Sequence, residues 1–247
     1  MSNVLEEFLL KEENSRTKEA ILNYRIFYDL KLAAAARGYD LSLYTPDVDR
    51  DGFDIILDNK DSVRKIQLKT VLKSSITTRW PIHKTMLRPD DEFCEFLGFE
   101  PSQFGTGVHG GVILIEIEPA INFLHVEYYY TDIFVITALD IGIVTSKPRI
   151  RKSVFNTFYS KIRNGVSNEK IHVPKSLFVK AKSPEHLIAL KGFNSRFDHT
   201  WWYHLLTVSE SRLFGKVQEK PPAPLERLEE IIAQKLIELT EDLEVKK

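Results

Sequence analysis

The residues whose types and spacing could do chemistry sit between positions 47 and 70, in DVDRDGFDIILDNKDSVRKIQLKT. Asp47, Asp49 and Asp51 alternate, Asp54 opens an apolar run, and Gln67 and Lys69 stand two apart in a second run. Side chains alternate along a strand, so Gln67 and Lys69 project from one face. An ammonium beside Ile66 and Leu68 needs a partner or a polar cleft, because an unpaired charge in an apolar core is costly. If the two runs pair as a hairpin, Asp54 comes opposite Gln67 or Lys69, about 5 Å away when directly opposed. The turn decides which. A carboxylate, an amide oxygen and an ammonium would then converge, and hard oxygen donors of that kind suit Mg²⁺, which keeps several waters and takes few protein carboxylates.

Calcium is the competing reading. Asp47, Asp49, Asp51 and Gly52 match the first half of an EF-hand loop. The second half fails: Asp54 stands where an apolar residue belongs, and Asp58 where a bidentate glutamate belongs. The preceding LSLYTP is extended in character and ends in proline, so the entering helix is missing as well. A calcium loop is therefore rejected.

The elements that must position these residues are legible around them. SRTKEAILNYRIFYDLKLAAAAR, residues 15–37, has Ile21, Leu22, Ile26 and Leu30 at helical spacing, with Asn14 or Ser15 as cap and Gly38 as stop. YDLSLYT alternates as a strand, and two further strands flank a polar turn at Asp58 to Asp61. RWPIHKTMLRPDDEFCEFLGF reads as loop and short helix. GVILIEIEP and LHVEYYYTDIFVITAL read as strands rich in β-branched and aromatic residues. SPEHLIALKGF reads as a capped short helix. The tail is a proline-marked linker followed by an amphipathic helix with Leu228, Ile232, Leu236, Leu239 and Leu243 on one side.

Composition bounds the rest. With 34 basic against 35 acidic residues among 247, only local patches can argue for a nucleic-acid partner. The single cysteine, Cys94, excludes an internal disulfide and a paired-thiolate zinc site, and reads as a small buried hydrophobe. The acidic start lacks the basic and apolar regions of a signal peptide, and no apolar run approaches the roughly 20 residues that span a bilayer. The expectation is a cytoplasmic protein without membrane contact.

A helix carrying Glu19, then a strand, then GFDIIL and IQLKT resembles the PD-(D/E)XK nuclease superfamily, in the variant whose last element reads Q-x-K. The resemblance covers residues 15–72. It implies Asp54 as the metal-bridging aspartate, Gln67 at the variable acidic position, Lys69 as the lysine, and Glu19 as the helical glutamate, with Asp29 the weaker match. These would be the catalytic residues, and Asp54, Gln67 and Glu19 the metal ligands, with the backbone carbonyl of Leu68 beside them. Two departures stand out. Phe53, not proline, precedes Asp54, and Gln67 removes a negative charge, which favours one metal over two.

Two basic stretches suit phosphate contact. PRIRKSVFNTFYSKIR carries Arg149, Arg151, Lys152, Lys161 and Arg163 without an acid, its aromatics being expected in the core. RWPIHK places Arg79, His83 and Lys84 just after the catalytic strand. FDHTWWYHLL is expected to pack rather than bind metal, since His199 and His204 share no helix face.

The reading is an α/β, restriction-endonuclease-like fold: a mixed central sheet flanked by helices, with a C-terminal amphipathic helix. Residues 1–215 form the nuclease-like domain and 216–247 the linker and helix. The expected function is Mg²⁺-dependent hydrolysis of DNA phosphodiesters, with Mn²⁺ as substitute, by a homodimer at least on DNA; restriction or defence fits the Q-x-K branch, and repair or mobile-element processing fits the residues equally well. The alternative is a nuclease-like DNA-binding or assembly module without catalysis.

Overall fold

The structure is a computed structural model, and it describes residues 4–46, 52–89, 93–100, 109–121, 123–163, 169–193, 196–197, 201–215, 217 and 220–245. Helices α1 (Val4–Leu10) and α2 (Ser15–Ala35) lead into strands β1 (Ser42–Tyr44), β2 (Ile55–Asp58), β3 (Val63–Leu72) and β4 (Arg79–His83). Next come β5 (Gly110–Pro119), β6 (Leu124–Thr131), α3 (Ile133–Asp140), β7 (Val144–Ser146) and α4 (Lys152–Arg163). The chain ends with β8 (Lys170–Pro174), β9 (Val179–Lys180), α5 (Pro184–Leu190), α6 (Trp201–Phe214), α7 (Leu225–Leu239) and β10 (Leu243–Val245).

A six-stranded mixed sheet runs in the order β1-β2-β3-β5-β6-β9, flanked by helices. Only β3 and β5 pair in parallel; the other neighbours are antiparallel. Central position explains the composition of β5. From Gly110 to Ile117 every residue is buried, because a strand covered on both faces has no use for polar alternation. Among the described residues, no helix is long and apolar enough to cross a membrane.

Local chemistry sets the boundaries. Gly38, at φ 74°, closes α2, as the sequence predicts. The β2–β3 turn is built from side chains: the Lys60 N–H donates to Asp58 Oδ1 at 2.7 Å and the Ser62 N–H to Asn59 Oδ1 at 2.8 Å. The predicted strand 124–139 is corrected beyond Thr131. Asp132 caps α3, its Oδ1 accepting the Val135 N–H at 2.8 Å. Ile133 to Leu139 are all buried, so no polar stripe marks the helix and its β-branched residues imitate a strand. The expected loop at 79–84 is instead β4, paired with β8 and followed by a 3₁₀ turn over Lys84–Met86.

The tail beyond 216 shares the core of what precedes it. Leu228, Ile232, Leu236 and Leu239 are buried, α7 packs on α6 and α5, and β10 pairs with β7. Lys182 Nζ donates to the carbonyls of Ile237 and Glu238 at 2.7 and 2.8 Å, satisfying orphan acceptors at the α7 C-terminus.

One buried network ties the first hairpin to the second half of the chain. Lys191 Nζ donates to Tyr130 Oη at 2.6 Å, and the Tyr130 hydroxyl donates to Asp132 Oδ2 at 2.6 Å. Arg64 Nε donates to the Lys191 carbonyl at 3.1 Å. Gly111 makes room, since a Cβ there would lie 2.4 Å from Lys191 Nζ. Burial pushes the Lys191 amine down to about 7, Asp132 pulling it up and Arg64 pushing it further down. In the unfolded chain the amine titrates near its ordinary 10.5, so between these values the unfolded state holds a proton that the folded state lacks. Stability from this group therefore rises with pH across that window and is flat below it. Thermal melts from pH 7 upward should show the rise in wild type and a flatter limb in Lys191→Met; parallel limbs would count against a neutral buried amine.

Candidate active site

Ile55 pairs with Ile66, so extending the β2–β3 register by one residue sets Asp54 opposite Gln67. Side-chain alternation puts both on one face of the sheet, with Lys69 two residues further along it. Backbone bonds hold Asp54 in place. Its N–H donates to the Ile66 carbonyl at 2.8 Å, and its Oδ2 accepts the Leu68 N–H at 2.5 Å. The carboxylate thus acts as the last acceptor of the ladder where β2 has not yet begun. The N–H and C=O of one strand residue leave by the same edge, so the Leu68 carbonyl also points toward Asp54.

Gln67 is 4% exposed, and its Oε1 accepts the His83 N–H at 2.9 Å. Strand β4 therefore crosses this face with its end against the amide. His83 Nδ1 lies 3.0 Å from Thr85 Oγ1, and Gly52 packs on the imidazole. Asp54 and Lys69 remain partly exposed. Asp47, Asp49 and Asp51 lie outside the described residues, as does His199.

Glu19 is not brought to this cluster. Helix α2 lies on the opposite face: Tyr128 Oη donates to Asp29 Oδ2 at 2.6 Å, and Tyr128 shares its row with Ile115 and Thr70, not with Lys69. Arg25 Nη1 reaches the Leu124 carbonyl at 3.4 Å, at the start of β6. Leu124 pairs with Pro119, far along β5 from Val112, which flanks Gln67. Glu19 lies about 9 Å further toward the helix N-terminus and is exposed. Asp29 is occupied by Arg25 at 2.8 Å as well as by Tyr128. Sequence order made Glu19 a candidate; the side of the sheet taken by α2 removes it.

The predicted phosphate contacts scatter. Lys84 is fully buried near Glu169, its amine pushed down by burial, and so is out of reach of a phosphate. Arg163 bonds the Gly98 carbonyl at 3.1 Å and lies over the Phe99 ring at 5.0 Å. Lys152 pairs with Asp140 at 2.6 Å, beside a cavity of 440 Å³ also lined by Arg149 and Arg151. Arg79 and Lys161 line a separate cavity of 520 Å³ with His172 and Lys175. The sequence reading missed Lys170, His172 and Lys175, although KIHVP alternates as a strand should. Phe155, Phe158, Trp201 and Trp202 are core as expected, and so is Cys94, whereas Tyr203 is exposed.

The donors fit one hard cation. Asp54, Gln67 and the Leu68 carbonyl bring oxygen donors of the kind Mg²⁺ prefers, the rest falling to water. Among the described residues no three His, Cys, Asp or Glu side chains gather to hold a metal.

Gly52, at φ 76°, is the tightest point of the site. An added Cβ would sit 2.3 Å from His83 Cγ in a backbone conformation that already disfavours L side chains. Gly52→Ala should cost about 1–3 kcal/mol, or about 2–4 °C of Tm per kcal/mol in a chain of this size. An unchanged melt would mean that Gly52 and His83 are not packed this way.

Comparison with protein-family models, with curated proteins and with solved structures finds no match.

Proposed function

We propose that the chain is a metal-dependent hydrolase of DNA phosphodiesters, of the PD-(D/E)XK kind in its Q-x-K form, with a restriction-endonuclease-like core. The observation that carries this reading is the convergence of Asp54, Gln67 and Lys69 on one face, in the order and alternation that the resemblance requires. Asp54, Gln67 and the Leu68 carbonyl would hold Mg²⁺ or Mn²⁺. Bound there, the ion would lower the pKa of a water and polarise a phosphoryl oxygen. Lys69 would orient that water and stabilise the charge developing on the phosphoryl group, a role suited to an ammonium on a rigid strand. Asp54, clamped by the Leu68 N–H, is held in one orientation before substrate arrives. Restriction or defence against foreign DNA is the setting this branch implies.

A second reading has its own support. With Glu19 on the other face and Gln67 sealed by His83, a nuclease-like module that binds DNA without cutting it accounts for the same residues.

Cleavage of supercoiled and branched DNA with Mg²⁺ or Mn²⁺ separates the two. Wild type should cut, and Asp54→Asn and Lys69→Ala should each lose about 100-fold or more. A folded wild type that binds DNA yet cuts no substrate with either ion would leave the binding module. Cutting both strands takes two such sites, so the DNA-bound form should sediment as a homodimer. A strict monomer on cleaved duplex would count against that. Ile21, Tyr24, Tyr28 and Leu32 form an exposed apolar stripe at helical spacing on α2 that a second copy could cover.

A further inference from the structure

We infer that the outward face of the β4–β8 ribbon is the DNA-binding surface, and that its ligand is the backbone of double-stranded DNA. The inference rests on the DNA-hydrolase reading above and extends it to a surface. Alternation divides the ribbon. Trp80, Ile82, Ile171 and Val173 turn inward and are buried. Arg79 and Pro81 turn outward and are exposed, beside Pro174 and His172, whereas His83 is buried opposite the exposed Lys170. Residues 78–83 and 170–176 contain no acid.

Several cations elsewhere pair with a carboxylate, among them Lys60, Lys73, Lys147, Lys152, Lys180 and Arg212. Among the described residues, no ion pair involves Arg79, Lys170 or Lys161 of the adjoining α4, and all three are exposed. Lys175, beyond the end of β8, pairs with Glu116 and completes the 520 Å³ cavity with Arg79 and Lys161. Unneutralised cations gathered on one surface are the footprint of a polyanion.

Geometry selects the form of the ligand. The β4–β8 bonds Lys84 N–H to Glu169 O and Lys175 N–H to Thr78 O show that even-numbered residues of β4 face β8. Pro81 therefore stands on the free edge, where it has no N–H to offer a further strand, and the ribbon stays two strands wide. A two-stranded ribbon is what the major groove admits. Arg79 and Lys170, which pairs with His83, are four register positions apart, about 13 Å along the ribbon, which matches a groove about 12 Å wide. Arg79 stands at one end of the ribbon, with Lys161 of α4 beside it, and Lys170 at the other, where the phosphate walls would lie. The uncharged Pro81 occupies the middle. At the Lys170 end, the His83 N–H meets Gln67 Oε1 at the ribbon's edge, which sets this end of the surface beside the candidate site.

The test is fluorescence anisotropy on a labelled duplex of about 20 base pairs and its single strand, with metal chelated, across about 50 to 200 mM salt. Arg79→Glu/Lys170→Glu should weaken duplex binding about 10-fold or more and lower the salt slope by about 1.8, at about 0.9 per phosphate contact. Lys31→Glu, an exposed reversal on α2 at the other face, should leave both unchanged. An unchanged slope in the double variant overturns the surface, as does equal weakening by Lys31→Glu. A single strand bound as tightly as the duplex, with the same loss, overturns the duplex assignment. Near-ultraviolet circular dichroism confirms that the variants fold. Wild-type hydrolysis of bis(p-nitrophenyl) phosphate with Mn²⁺ tests the hydrolase reading without the ribbon. Binding that passes with hydrolysis absent leaves the surface standing and removes the hydrolase; the reverse removes the surface alone.

Discussion

The β2–β3 register is the constraint on which the candidate site depends. A slip of β2 by one residue along β3 would carry Asp54 to the α2 face, away from Gln67 and Lys69, and turn Ile55 and Leu57 to the other. Ile55 and Leu57 are both buried, so the slip is opposed by the cost of returning their apolar surface to water. The Asp54 carboxylate adds a local lock, accepting the Leu68 N–H where no strand partner is present. The same bond fixes the orientation of the one carboxylate in the cluster. In the proposed reading, structural and chemical roles are joined in that side chain.

Around this hairpin the two faces of the sheet are used differently. On one, α2 and α5 cover the apolar rows, and Tyr128 and Asp29 connect helix to sheet. On the other, the β4–β8 ribbon stands over Gln67 at one end and reaches Glu116, through Lys175, at the other. Charge follows the same division. The carboxylates of the sheet and its edge, Glu116, Glu127 and Asp242, are neutralised or hydrogen-bonded by Lys175, Lys180 and the Lys180 N–H. Among the described residues, no ion pair involves the ribbon's Arg79 or Lys170.

The buried Lys191–Tyr130–Asp132 chain shows how distant segments are made to agree. Asp132 caps α3, Tyr130 belongs to the central sheet and Lys191 follows α5, so three elements meet in one hydrogen-bonded line. A buried line of this kind tolerates no missing member, which fixes the placement of α3 and α5 as strongly as packing does. The C-terminal helix is fixed differently, by an apolar stripe and by Lys182 at its last turn.

By itself the sequence determined whatever depends on near neighbours. Helix α2 and its glycine stop, the β2–β3 hairpin with its polar turn, the apolar strand β5, the α7 stripe and the shared face of Gln67 and Lys69 all follow from local periodicity. What it left open depends on non-local contact. Helix α3 was masked because complete burial erases its polar face. Strand β4 was masked because Pro81 and short length hide its alternation. Only the tertiary structure decided which face α2 covers, and with it that Glu19 stands apart from Asp54. It alone decided that Lys84 is sealed while Arg79, Lys161 and Lys170 share an open surface. Side-chain alternation is written in the order of residues, but the side of a sheet on which a helix packs is settled by the whole apolar surface that it has to cover.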